Sequence, residues 1–374
     1  MFGSYEIEDL FKPKVLFIAP LPPPFGGQAI MSEIVYKVLN PQYVININVD
    51  GSILQNIIII FKIPYYLIFK RPDLIYFTCT RSRMGAIKDL MMLFLARLLN
   101  IKTINHLHGN EINEILHPIC FKRIVTIAYQ GINTTIFVSQ KQADDFPIAI
   151  PLMKKFVLPN CFDKVFDDVS WTHKKSIVNS REVNILFISF LMESKGIFIA
   201  LEVFERLAND YAHLKFNVAG DFRTDYLSSS SDVKERFFKK WNMLITLFPG
   251  RFIYHGVVTG KLKKELFVKN DILFFPTFFK TESFGLVLIE AMRSGNVVIA
   301  SDFNNISELV NEERGGLFPP KDANLAFLAI EYFINDINKM REVQKSNIVY
   351  SQAIFSQGKY EKEISFIFEN ILSE

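Results

Sequence analysis

The stretch Phe274–Asp302, FFPTFFKTESFGLVLIEAMRSGNVVIASD, decides how this chain is read. It begins inside the apolar run DILFFPT (Asp271–Thr277), crosses a short polar loop, takes up a helical apolar period after Ser283, stops at Gly295, and resumes as NVVIASD (Asn296–Asp302). Apolar runs without alternation belong to strands covered on both faces, and a helix between two of them makes a βαβ unit of a parallel sheet. Gly295 stands where a helix C-terminus takes its glycine. Glu282 therefore lies just before the helix and Glu290 inside it. Were both helical, about 12 Å of rise and about 80° of rotation would separate them, too far for the roughly 5 Å spacing of a retaining glycosidase pair. They are not an acid–base dyad. They suit the two ends of one extended ligand, whose middle meets the free N–H groups of Gly285 and Leu286 at the helix N-terminus, a favourable place for phosphate. Glu290, an ionisable group on an otherwise apolar helix, requires a partner; Glu282 by itself is also compatible with a helix cap.

Working outward, two other runs read as the first strands of parallel sheets, KVLFIAP (Lys14–Pro20) and VNILFIS (Val183–Ser189). After the first come IYFTCT, KTINHLHG and TTIFVSQ, with a helix over 86–99; after the second come a helix in IFIALEVFERLAND, then KFNVAGD, RFIYHG and the opening stretch. The chain starts twice, in the doubly wound manner. We expect an α/β protein of two Rossmann-like domains, 1–165 and 183–355, facing a cleft, joined by the polar segment 163–182, and a terminal amphipathic helix over 356–374 that returns to the first domain.

Composition limits the function classes. With 374 residues, 49% of them hydrophobic and 37 of them Phe, the chain has ample material for large cores. Cys79, Cys120 and Cys161 are scattered without metal or disulfide spacing and read as buried thiols. The N-terminal segment lacks an apolar signal region, so a cytoplasmic protein is expected. The run 53–69 is interrupted by Gln55, Asn56, Lys62 and Pro64 and is too short to span a bilayer. Net charge is +3, concentrated in residues 1–165, where 17 Lys and Arg face 12 Asp and Glu. Arg81, Arg83 and Lys88 lie in a basic, apolar segment that suits peripheral contact with an anionic membrane, although a core helix with ordinary solvated charges explains it as well. No basic–aromatic motif points to nucleic acid, neither half has a G-x-G-x-x-G after its first strand, and the histidines lack metal-ligand spacing.

The segment ESFGLVLIE resembles the E-x7-E signature of retaining glycosyltransferases with the GT-B fold, the GT4 class, a group that includes bacterial enzymes of surface-polysaccharide synthesis. ISFLMESKGIFIALEVF resembles that family's phosphate-lysine loop, HLHGNE its HG loop, LPPPFGGQA its N-terminal glycine-rich loop, LPNCFD its turn before the linker and SQAIFSQGKYEKE its returning helix. The resemblance implies transfer of a sugar from a nucleoside-diphosphate donor to a glycan or polyprenyl-linked acceptor, without cofactor or required metal; no D-x-D occurs in the chain. It assigns catalytic roles to His108, Lys195 and Glu282, and donor contacts to Gly26, Gly27, Lys195, Glu282, Ser283, Phe284, Gly285, Leu286 and Glu290. Two departures stand out. Phe190 occupies the family's usual Arg position, with Arg293, Arg223 and Arg81 as alternative cations, and Asn304-Asn305 replaces a Gly-Gly pair. A same-fold epimerase or phosphorylase, or a non-catalytic binding protein, is the alternative reading.

Overall fold

The computed structural model describes residues 13–23, 26–47, 53–79, 83–109, 119–146, 153–177, 182–282 and 284–373, and side chains within these except those of 53–57, 83–84 and 119–122. The chain divides into two compact units, Met1–Asn160 with Gly358–Glu374, and Cys161–Gln357.

The first unit runs β1 (Val15–Ala19), α1 (Gly27–Leu39), β2 (Tyr43–Asn46), α2 (Ile53–Tyr65) prolonged by a π-helical turn (Tyr66–Lys70), β3 (Leu74–Phe77), α3 (Arg83–Leu98), β4 (Lys102–Leu107), α4 (Ile119–Tyr129), β5 (Thr134–Phe137), α5 (Gln140–Asp144) and β6 (Lys154–Val157). Its sheet is parallel, in the order β2-β1-β3-β4-β5-β6. The connection reverses direction after β2, and right-handed crossovers then put α2, α3 and α4 on one face. There Ile59, Ile63, Met92, Leu93, Val125 and Tyr129 pack on Leu16, Ile75, Phe77 and Phe137. Strands β1 and β3 are covered on both faces, which is why their sequences run apolar without alternation.

The second unit runs α6 (Trp171–Ile177), β7 (Val183–Ile188), α7 (Ile197–Asp210), β8 (Leu214–Ala219), α8 (Ser230–Leu247), β9 (Phe252–Tyr254), α9 (Gly260–Lys269), β10 (Ile272–Phe275), α10 (Leu286–Arg293), β11 (Val297–Ser301), α11 (Ile306–Leu309), β12 (Gly315–Phe318), α12 (Ala323–Asn335) and α13 (Ile337–Phe355). Its parallel sheet has the order β12-β11-β10-β7-β8-β9. Phenylalanine builds much of this core: Phe216 lies 4.8 Å from Phe204 and stacks at 4.8 Å on Phe252, and Phe237 stacks on Trp241. Under the sheet, Asp271 is fully buried and accepts from Arg341, Gln344 and the Asn184 backbone, so its charge is matched by donors on three sides.

The last helix, α14 (Gln357–Leu372), belongs almost entirely to the first unit. Its Phe368 lies 5.9 Å from Tyr76 of β3, and Lys102 of β4 donates to the Ile371 carbonyl at 2.7 Å. The segment 163–182, read from sequence as a linker, is instead part of the second unit from Cys161 onward. Phe166 and Val169 are buried, and Lys174 on α6 is fully buried, donating to the carbonyls of Phe267 and Asn270 around the end of α9. Burial pushes the Lys174 ammonium down to about 7. Three isolated anchors among polar residues leave no periodicity to read.

Candidate active site in the second unit

In the second sheet β7 lies between β10 and β8, and the chain leaves it in opposite directions. The loops after β7 and β10 therefore lead to opposite faces of the sheet, which is the switch point where doubly wound sheets bind ligands. Lys195 arrives on the first loop and Glu282 on the second. The β7 loop ends in a single 3-10 turn, Glu193–Lys195, whose Ser194 N–H donates to Asp225 at 2.8 Å while its carbonyl accepts from the Phe278 N–H at 2.8 Å. Gly196 follows at φ +80°, and a Cβ there would fall 2.1 Å from the Pro276 carbonyl oxygen. Glycine is required for the two loops to meet.

The Lys195 ammonium forms an ion pair with the Glu282 carboxylate and lies 4.8 Å from the Phe279 ring centre and 5.8 Å from that of Phe275. Both charged side chains are about nine-tenths buried. A buried cation paired with a carboxylate between two rings is strongly held and poorly hydrated. Asn304, at φ +53°, donates through its side-chain amide to the Lys280 and Glu282 carbonyls at 3.0 and 2.8 Å. The Asn that replaces glycine thus takes up the left-handed conformation and also ties down the glutamate loop.

Gly285, at φ +64°, caps α10 without a side-chain hydrogen bond. The first-turn amides and the positive end of the helix dipole are thereby left to attract an anion. Glu290, one helical stretch further, is buried and paired with Lys263 of α9 at 2.8 Å. Burial raises its carboxyl above the usual range and Lys263 opposes the rise. Lys263 is the partner that the buried glutamate requires; standing in a lysine-rich segment, KLKK, it carries no mark in sequence that distinguishes it from its neighbours.

The other expected residues fall as follows. Phe284 is buried with its ring edge-on to Phe355 at 6.1 Å, so its side chain anchors the loop instead of facing a ligand. Leu286 opens α10. Ser283 and Arg81 lie outside the described residues, as does the Arg83 side chain. In the first unit, Gly26 caps α1 in extended conformation with open space where a Cβ would stand, and Gly27 is the first helical residue. His108, at the end of β4, is buried and stacks at 4.0 Å on His106, whose Nδ1 is 2.8 Å from the Tyr76 hydroxyl. Burial pushes His106 down to about 3, keeping it neutral. Lys88 is buried beside Asp89 at 3.3 Å, which removes it from any membrane contact.

Of the cations considered for the place of Phe190, Arg293 is buried and donates to the Asp167 carbonyl at 2.6 Å, a tie internal to the unit. Arg223 is exposed, lies 5.4 Å over the Phe190 ring and pairs with Asp221 at 3.1 Å. Its backbone N–H donates to the Leu191 carbonyl. Spatially, Arg223 is the guanidinium that accompanies this loop.

Comparison with known proteins agrees with this architecture. Residues 169–348 match the family described as glycosyl transferases group 1. A 173-residue stretch is 27% identical to an uncharacterized 41.2 kDa protein in the cps region of Klebsiella pneumoniae, covering 46% of this chain and 39% of that one. A 176-residue stretch is 26% identical to an uncharacterized glycosyltransferase of Methanocaldococcus jannaschii, covering 45% and 41%. These matches thus span about two-fifths of the relatives' own lengths. Among solved structures, sucrose-phosphate synthase from Thermosynechococcus elongatus superposes with a TM-score of 0.72 at 15% identity over 97% of this chain and 99% of that one. Anabaena HepE, solved in complex with UDP, superposes at 0.70 and 16% identity over 96% and 100%. Residues 169–348, just under half of the chain, resemble the glycosyl transferases group 1 family, and the two parallel sheets have the GT-B fold of these solved structures.

Proposed function

We propose that the protein is a metal-independent, retaining glycosyltransferase of the GT4 type, moving a sugar from a nucleoside-diphosphate donor to a glycan or lipid-linked acceptor in surface-polysaccharide synthesis. The observation that carries this is the meeting of Lys195 and Glu282 at the switch point of the second sheet, beside the uncapped N-terminus of α10. A diphosphate seated there takes over the ammonium and the amides. Glu282 is then released toward the sugar hydroxyls, and the Lys263–Glu290 pair serves the ribose. The bond from the anomeric carbon to the phosphate oxygen breaks as the acceptor oxygen attacks from the same face. The departing phosphate oxygen takes the acceptor's proton, and the growing negative charge falls on Lys195 and the helix amides. In the first unit we assign His108 to the donor sugar and the Gly26–Gly27 turn to close backbone approach to the phosphates. UDP or UDP-glucose in solved HepE complexes supports a nucleotide-sugar donor, and the cps-region relative supports the polysaccharide setting. We place the protein in the cytoplasm, working peripherally at the membrane where a lipid-linked acceptor resides.

The test is a thermal-shift screen of UDP, GDP, ADP and CMP with their common sugars against the wild type, Lys195→Ala and Glu290→Gln. One nucleotide series is expected to raise the melting point by several degrees, since a ligand at 100 times its Kd adds about 2.7 kcal/mol. Both variants are expected to lose the shift. No shift with any nucleotide at millimolar concentration moves the non-catalytic alternative ahead.

A further inference from the structure

A helix that covers a sheet normally turns a polar face to water. Helices α2, α3 and α4 do not. Their inward residues already cover the first sheet, yet the outward positions carry Phe61 and Phe69, each 72% exposed, Leu98 at 70%, Phe94 at 67% and Ile127 at 62%. On α3 the positions Ile87, Phe94 and Leu98 recur at helical spacing on one side, and α3 packs against both α2 and α4. The exposed side chains accordingly form one surface, larger in character than the scattered apolar residues ordinary on soluble proteins. Among them stand exposed Lys62, Lys70, Arg71, Arg97 and Arg123. The three helices and the π-helical turn contain one acidic residue, Asp89, and it is buried. Asp73, which follows the π-helical turn, is exposed and accepts from the Lys14 backbone.

We propose that this face of the first unit docks on a bilayer surface bearing anionic headgroups. The aromatic and aliphatic side chains enter the headgroup–acyl boundary, and the cations meet lipid phosphates. A protein partner's apolar patch would accept the same side chains, but five exposed cations, with no exposed carboxylate among the described residues of these helices, complement a uniformly anionic surface. No helix among the described residues is long and apolar enough to cross a membrane, so the contact is peripheral. Docking brings the protein to the lipid-linked acceptor of the proposed function and rests on that reading for its purpose alone; donor binding in the second unit proceeds without it, so the two are tested apart.

The full chain is sedimented with vesicles of phosphatidylcholine alone and of phosphatidylcholine with phosphatidylglycerol in equal parts. The anionic vesicles are expected to carry the protein down and the neutral ones to carry far less, with binding weakened by salt. Each cation near the surface contributes about fivefold to partitioning, so Arg97→Glu with Arg123→Glu is expected to reduce binding about twentyfold or more. Phe61→Ser, Phe69→Ser and Phe94→Ser together are expected to reduce it about tenfold or more. All are exposed, and the variants are checked for an unchanged melting point and nucleotide-induced shift. Failure to sediment, equal sedimentation with neutral vesicles, or binding untouched by the substitutions overturns the proposal. Concentration-dependent association lost in the phenylalanine variant, without vesicle binding, reassigns the face to a second copy of the chain. Vesicle binding that persists in a protein showing no nucleotide shift sustains docking and removes the enzyme reading instead.

Discussion

Helix α8 of the second unit and helices α2–α4 of the first meet the same architectural demand in opposite ways. Each buries one side against a parallel sheet. The exposed side of α8 mixes signs and pairs them: Arg236 reaches Asp232 at 3.2 Å and Glu193 at 2.7 Å, and Lys240 pairs with Glu205 of α7. The outer side of α2–α4 is apolar and cationic with no exposed acid on these helices. One surface pairs its charges for water; the other is the one proposed to dock on a bilayer. Buried charge is handled alike in both: the second unit matches Asp271, Glu282 and Glu290 each with a cation, as the first sets Lys88 beside Asp89.

The comparison can be broken most forcefully beneath the second sheet. Arg341→Met leaves Asp271 buried without its cation and is expected to cost about 3 kcal/mol or more, read as a lower urea midpoint. Asp232→Ala, which removes an exposed pair, is expected to cost under about 1 kcal/mol. Equal losses would mean that the buried pair has no special standing. At the switch point, Lys195→Ala is expected to lower turnover about 100-fold or more with the fold kept by circular dichroism, because it removes the cation to which the proposed mechanism assigns the leaving-group charge. His108→Ala, in contrast, is expected to lower turnover while leaving the nucleotide-induced thermal shift in place.

A smaller effect sharpens the pairing of Glu290. Lys263→Met is expected to destabilise by about 1–3 kcal/mol at neutral pH, where Glu290 would be a buried carboxylate without its cation. Its folded carboxyl is raised above the unfolded value. Protonation on acidification therefore removes the penalty, and the difference between variant and wild type should shrink as pH falls through that raised pKa. The smallest effect concerns Lys174. Its ammonium titrates at about 7 in the fold against an ordinary 10.5. Between these values the unfolded chain holds the extra proton, so this group makes stability rise with pH from about 7 toward 10 and adds no slope below. Lys174→Met should flatten that rise in melting temperature; an unchanged slope would show that Lys174 keeps its proton when folded.

Much of this was legible in sequence because sheet and helix periods are local. The runs KVLFIAP and VNILFIS do open two parallel sheets, the helix after the opening loop ends beside Gly295, and Glu282 does stand outside it while Glu290 stands within. Asn304 was readable as a left-handed residue, but not as the side chain that holds the glutamate loop. The segment 163–182 looked like a linker because Phe166 and Lys174 make their contacts with the distant Phe267 and Asn270 and show no local period. Lys88, which read as a membrane-facing cation, is buried beside Asp89.

By itself, then, the sequence determined most of the elements, their order and the need for a partner at Glu290, since periodicity is a property of neighbouring residues. Tertiary structure alone decided who the partners are. Lys195 and Glu282 stand 87 residues apart and meet only because β7 and β10 are adjacent. Lys263 reaches Glu290 across two helices, and Arg223 finds Phe190 through the pairing of their loops. Which apolar residues stay in water was likewise undecided until the helices were placed on the sheet. A helix has one side to bury, and the fold determines which of its residues remain outside.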